Sequence, residues 1–174
     1  MSLSTESSYD ITRVREAFPV LSEVTYLNIG TYGIMPEPAY QTFANLLADF
    51  EKKGVASTAN VGAKANETRD RIAKLLGASS KEIAFTRDAT DGINLVLAGL
   101  TWQPGDEVIT TSEEHEAMNH PLLYLQATKG IVVKRVDVSP DPAVMLKRIE
   151  AQATSRTRLI GMSHVTCETG TRLP

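Results

Sequence analysis

The sequence predicts an α/β fold built on a parallel sheet, and three observations carry that expectation. Short apolar runs alternate with segments whose apolar residues recur at helical spacing, the order expected of βαβ units. The 174 residues are 42% hydrophobic and 22% charged with a net charge of −3, an ordinary soluble composition, and the chain is long enough for one domain with a real core. Finally, the apolar run Glu82–Ile83–Ala84–Phe85–Thr86 reads as a strand that enters the polar turn Arg87–Asp88–Ala89–Thr90. A helix beginning near Thr90 or Asp91 follows, with Ile93, Val96, Leu97 and Leu100 on one face. A strand, turn and helix in that order make an anion cradle, because the first helical N–H groups lack partners and sit at the positive end of the dipole. The Thr90 hydroxyl adds a donor, although Thr90 and Asp91 are equally ordinary N-cap residues.

The elements follow in order. Asp10 caps a short helix carrying Val14, Ala17 and Phe18, which Pro19 stops. Val24–Asn28 reads as a strand entering the loop Ile29–Pro36, whose Gly30 and Gly33 allow tight turns. Pro38 suits a first helical turn, and Tyr40, Phe43, Leu46, Leu47 and Phe50 mark the buried face of a helix ending at Gly54. Val55–Ala65, small and polar without clear period, reads as a mobile loop. A helix over Asn66–Leu76 buries Ile72, Leu75 and Leu76 and ends at Gly77. Beyond the central helix, Glu107–Thr111 is a strand, Pro121–Ala127 a short helix, Gly130 a cap and Ile131–Val136 a strand. Asp141 and Pro142 start a helix with Met145, Leu146 and Ile149 inward, and Arg158–Met162 is the last strand.

Several function classes fall away. The faintly acidic balance gives no reason to expect a nucleic acid or an anionic membrane as partner. No apolar run approaches the roughly 20 residues of a membrane span. The N-terminus MSLSTESSYD has neither a basic end nor an apolar stretch, so a cytoplasmic protein is expected, and its first three residues read as a cloning remnant. In that setting the acceptor pattern Asn66–Glu67–Thr68 is chance. Cys167 is the single cysteine and forms neither an internal disulfide nor a paired metal site. No internal repeat, low-complexity tract or interdomain linker interrupts the chain.

Strands of a parallel sheet point the same way, so the loops after them share one edge, and ligands bind outside that carboxyl edge. The loops after three expected strands carry Ala89–Thr90, His115 and Thr166–Cys167. Taken singly, His115 reads as a solvated loop residue and the Thr–Cys pair as packing and capping. Three such loops on one edge point to a site.

In these blocks the chain resembles the N-terminal half of the class V aminotransferases, pyridoxal-phosphate enzymes that include the cysteine desulfurases, and most of all the isopenicillin-N epimerase-like branch. The matching stretches are Tyr26–Asn28 with its glycine loop, Phe85–Asn94, Gly105–Ile109, Glu114–Ala117, and Thr157–Ile160 through His164–Gly170. The resemblance implies the large domain of a fold-type-I, aspartate aminotransferase-like enzyme, incomplete in this chain. Residues 1–25 would form an N-terminal arm or helix and residues 26–174 the first half of the cofactor-binding domain. It further implies pyridoxal 5'-phosphate, a small amino-acid substrate and a homodimer. Ala89 and Thr90 would hold the cofactor phosphate, His115 would lie on the pyridine ring and relay protons, and Thr166–Cys167 would sit near the ring's phenolic oxygen.

Desulfurases usually have asparagine where Cys167 stands, so the resemblance favours transamination or epimerisation over desulfuration. It also implies that the Schiff-base lysine, the carboxylate facing the pyridine nitrogen and the small C-terminal domain lie after Pro174. Lys74, Lys129, Lys134 and Lys147 do not match the family's lysine block. Strands supplied later would insert between those present here, leaving Glu82–Thr86 and Leu159–Met162 without neighbours. From a different class, a non-catalytic phosphate- or nucleotide-binding α/β module would explain the Thr90 turn but leave His115 and Thr166–Cys167 idle.

Overall fold

The computed structural model describes residues 10–174. Residues 1–9, with the opening triplet and the start of the expected N-terminal arm, lie outside the described residues. Two compact units follow one another, the first ending at Ala84 and the second spanning Phe85–Pro174.

The first unit is helical. Helix α1, Ile11–Glu16, is capped by Asp10, whose carboxylate accepts from the Arg13 amide at 3.1 Å. Pro19 opens a 3₁₀ turn over Pro19–Ser22. Helix α2, Glu37–Lys53, carries Pro38 in its first turn and stops at Gly54. Helix α3, Thr58–Leu76, ends in a Schellman motif: Gly77 takes φ 66° and the Ala78 amide donates to the Ala73 carbonyl at 2.9 Å.

This unit departs from the sequence reading in several places. Val55–Ala65 is not a loop. Gly54–Ser57 forms a 3₁₀ turn and α3 begins at Thr58, eight residues before Asn66. Ala59, Ala63 and Ala65 favour the helix, but the segment is largely exposed, so it shows no apolar stripe. Val24–Asn28 is not a strand either; it leads into a turn in which the Thr31 and Tyr32 amides both donate to the Asn28 carbonyl at 3.2 Å. The expected buried faces stand open: Tyr40, Phe43, Leu47, Phe50, Leu75 and Leu76 are all exposed, Leu75 at 83%. A stripe records that a helix is built to be covered, and among the described residues of this unit only Ser57 and Ala73 are buried.

Glu82–Thr86, at the join of the units, also differs from expectation. Ser79 and Glu82 close a capping box around the 3₁₀ turn Ser80–Glu82, which absorbs the start of the expected strand. The remainder runs on into Phe85–Thr86 without entering the sheet.

The second unit holds that sheet. Helix α4, Ala89–Gly99, precedes strand β1, Glu107–Thr111; helix α5, Glu116–Lys129, leads to β2, Val132–Val136; helix α6, Pro142–Gln152, leads to β3, Thr157–Ile160. The order is β2-β1-β3 and both pairings are parallel. Strand β3 therefore has a neighbour, contrary to expectation: Val108 pairs Leu159 and Ile109 pairs Ile160, after an irregularity that skips Arg158. The central strand is buried at every residue, as a strand covered on both faces must be. Its side chains alternate. Val108 packs with Leu97 of α4 and Leu122 and Leu125 of α5 on one face, and Ile109 with Met145 of α6 and Leu173 on the other.

Helix α5 starts at Glu116 rather than Pro121, because His115 caps it and Pro121 sits inside it. Leu146 and Val96, expected inward, are 51% and 53% exposed.

Candidate active site

The carboxyl edge of the sheet is built from the α4 turn, the loop after β1 and the loop after β3. At the first, Asp88 is the N-cap of α4, so Thr90 lies in the first helical turn and is not the cap. The Asp88 carboxylate accepts from the Asp91 amide at 2.8 Å, and the Asp91 carboxylate accepts from the Arg87 amide at 3.2 Å. Thr86 donates its hydroxyl to the Asp88 carbonyl at 3.0 Å, bracing the turn. Thr86 also packs on Gly92, where a Cβ would stand 3.4 Å from its hydroxyl oxygen. The Ala89 and Thr90 amides and the Thr90 hydroxyl oxygen engage no partner among the described residues. Three donors thus remain open at the positive end of a helix.

In the loop after β1, His115 Nδ1 accepts from the Ala117 amide at 3.0 Å, which caps α5 and leaves Nε2 to carry the proton of the neutral ring. His115 and Thr90 line one cavity of about 800 Å³, with Asn94, Trp102, His120 and Tyr124 among its walls. Ala89 lines a second hollow with Met118 and Gly161. At Gly161 a Cβ would lie 3.0 Å from the Met118 methyl, so the absent side chain lets α5 approach the end of β3.

Thr166 and Cys167 line neither hollow. Thr166 is buried, and its hydroxyl shares a 3.0 Å hydrogen bond with Thr169 and accepts from the Thr171 amide at 3.1 Å, closing its own turn. Cys167 is exposed, its thiol 3.8 Å from the Glu113 carbonyl. The structure therefore brings Thr90 and His115 together, with Ala89 beside them, and turns Thr166 inward.

Glu114 had no role in the sequence reading. It is 8% exposed, and its carboxylate accepts from the Thr111 hydroxyl at 2.9 Å, the Ser163 amide at 2.9 Å and the Ser163 hydroxyl at 2.8 Å. Beside it Thr169 donates to the Glu113 carboxylate at 2.7 Å. These contacts tie the loop after β1 to the loop after β3. No short-range spacing announces them, since Glu114 and Ser163 are 49 residues apart.

With this geometry in view, the aminotransferase class-V family model matches residues 38–174. The chain belongs to the class V aminotransferase family. That family is one of pyridoxal-phosphate enzymes of fold type I that act on small amino acids. Among class V relatives, a probable cysteine desulfurase of Methanothermobacter thermautotrophicus is 29% identical over 91% of this chain and 40% of its own length. A cysteine desulfurase of Serratia proteamaculans is 28% identical over 96% of this chain and 45% of its own. Among solved structures, a mutant of C-DES with glycine covalently linked to its PLP cofactor superposes with a TM-score of 0.80 at 27% identity, over 92% of this chain and 43% of that one. The cystine C–S lyase C-DES with cysteine persulfide matches equally well, with a TM-score of 0.80. The chain thus spans under half the length of these relatives. No described helix is long and apolar enough to cross a membrane.

Proposed function

We propose that this chain supplies the phosphate cradle and a ring-facing wall of a pyridoxal-phosphate enzyme acting on an amino acid. The observation that carries this reading is the set of open donors at Ala89 and Thr90, with Thr90 on the same cavity as His115. A phosphate needs several converging donors, and backbone amides at a helix start supply them without a mobile side chain. The cofactor, when bound, withdraws electrons from the bonds at the amino acid's α-carbon.

Binding, orientation and proton handling fall to this chain's own residues. The Ala89 and Thr90 amides and the Thr90 hydroxyl hold the phosphate. His115 presents a flat ring fixed through Nδ1, with Nε2 able to hold or pass a proton. Thr166 shapes its loop from within, and Cys167 lies on the same edge near Glu113. The Asp88 carboxylate moderates the cradle's affinity, since it adds negative charge where the phosphate binds. In the whole protein, residues 26–174 are the first part of the cofactor-binding large domain of a homodimer, and residues 1–25 its N-terminal arm.

Transamination or epimerisation is the first reading of the reaction, on the resemblance and on Cys167 at a position where desulfurases usually carry an amide. Cleavage at a sulfur-bearing amino acid is the second, favoured by relatives named cysteine desulfurase and by the C–S lyase C-DES. Incubating the full-length protein, loaded with cofactor, with L-cysteine or L-cystine, and separately with amino acid and oxo-acid pairs, decides between them. Sulfur release with neither amino-group exchange nor racemisation of the amino acid would overturn the first reading. Exchange or racemisation without sulfur release would overturn the second.

A further inference from the structure

The Glu114 brace has a geometry that reaches beyond holding two loops together. Glu114 directly precedes His115, and its peptide is gripped twice. The carboxylate is fixed by Thr111 at the end of β1 and by Ser163 beyond the end of β3. The carbonyl accepts from the Asn119 side-chain amide at 2.6 Å, and Asn119 in turn accepts from Arg135 of β2 at 3.0 Å. The end of β1, the loop after β3 and, through Asn119, β2 therefore contribute to holding the residue before His115, while Nδ1 of His115 is held by the Ala117 amide.

The donors to the Glu114 carboxylate are all neutral, and no ion pair among the described residues includes it. Burying a carboxylate without a cation is costly unless hydrogen bonds compensate it, and here three do, two on one oxygen and one on the other. A residue that served only to fill space would not need an acid. An acceptor able to take three bonds from two separate strand ends defines where the following residue sits.

We infer that Glu114 is a positioning residue for His115, fixing the imidazole by bracing its loop against Ser163. The inference rests on the proposed ring-facing role of His115. It goes beyond that role in naming the group that sets the ring's place. Displacing a group of this kind by about 1 Å costs on the order of a hundredfold in rate, so a brace removed from the neighbouring residue is visible in turnover.

The test uses the full-length protein with pyridoxal 5'-phosphate, reading the cofactor's absorption spectrum, turnover and unfolding midpoint. Glu114→Gln keeps two acceptor bonds on its oxygen and turns the third into a donor to the Ser163 hydroxyl, which accepts as readily as it donates. It should retain the parent spectrum and rate. Glu114→Ala should shift the band in the direction that His115→Ala shifts it and slow turnover by about tenfold or more. The two changes should not add when combined. Should Glu114→Ala fail to fold, Ser163→Ala removes one bond of the brace and should produce a smaller shift of the same band. If Ser163→Ala and Glu114→Ala leave band and rate at parent values while His115→Ala moves both, the positioning role is refuted and the reading of His115 stands. If His115→Ala itself moves neither, the ring-facing reading falls and this inference with it.

Discussion

A buried glutamate opens β1 and another stands in the loop just after it, and they are satisfied in opposite ways. At the amino end, Glu107 accepts from the Lys134 ammonium at 2.7 Å and from the Thr154 and Thr157 hydroxyls at 2.6 and 3.2 Å. The Lys134 hydrogen bond, then that of Thr154, holds the Glu107 carboxyl below the usual range. At the carboxyl end, Glu114 is filled by hydroxyl and amide donors alone. The amino edge closes its polar groups on one another as a charged pair. The carboxyl edge uses its acid to hold two loops, and on that edge three donors at Ala89 and Thr90 engage no partner among the described residues. The amino edge thus closes on itself, while the carboxyl edge carries the proposed site, where ligands of parallel sheets are expected.

The largest effect should come from what both edges share. Leu122 of α5, fully buried in the cluster that includes Val108, sits in the core on one face of the central strand. Leu122→Ala should cost about 2–5 kcal/mol in a denaturant titration and weaken cofactor binding as well. A loss confined to one property would break the idea of a common core beneath two separable ends.

Next comes the amino edge. Glu107→Gln should lower the unfolding midpoint while cofactor affinity stays at the parent value, and an equal fall in both would erase the contrast between the edges. Its pH dependence has a definite sign. Because folding depresses the Glu107 pKa, its contribution is present above the unfolded value of about 4.3 and disappears as pH falls through the lower folded value. Parent stability should therefore decline more steeply below the unfolded value than that of Glu107→Gln. Parallel acid profiles would remove Glu107 as the cause.

A smaller effect is expected at the cradle's cap. Asp88→Asn keeps a side-chain oxygen for the Asp91 amide, so stability should change by only a few tenths of a kcal/mol, while loss of the negative charge should tighten phosphate binding. Weaker binding of pyridoxal 5'-phosphate to Asp88→Asn would show that the carboxylate helps rather than hinders.

Much of the second unit is legible in the sequence because its signals are local. The strand at Glu107–Thr111, the Asp141–Pro142 helix start and the Gly130 cap appear where the residues indicate. What failed was non-local. Val24–Asn28 and Glu82–Thr86 have strand composition, but a strand exists only where a neighbour supplies the ladder, and neither segment is paired in the described sheet. The stripe Tyr40, Phe43, Leu47 and Phe50 gives the helix and its intended face, but not what covers that face. Thr90 and His115 share a cavity, as loops on one edge suggested, whereas Thr166 spends its hydroxyl on its own turn and Glu114 draws its partners from across the sheet.

Whether the open donors at the start of α4 hold a phosphate is decided by comparing pyridoxal 5'-phosphate with pyridoxal on the parent and on Thr90→Val. Valine keeps the shape and deletes one donor to a charged group, a loss of about 1.5–3 kcal/mol, or about tenfold or more in affinity. That loss should appear for pyridoxal 5'-phosphate and vanish for pyridoxal, which has no phosphate to lose. Equal losses for both ligands, or no loss for either, would contradict the assignment.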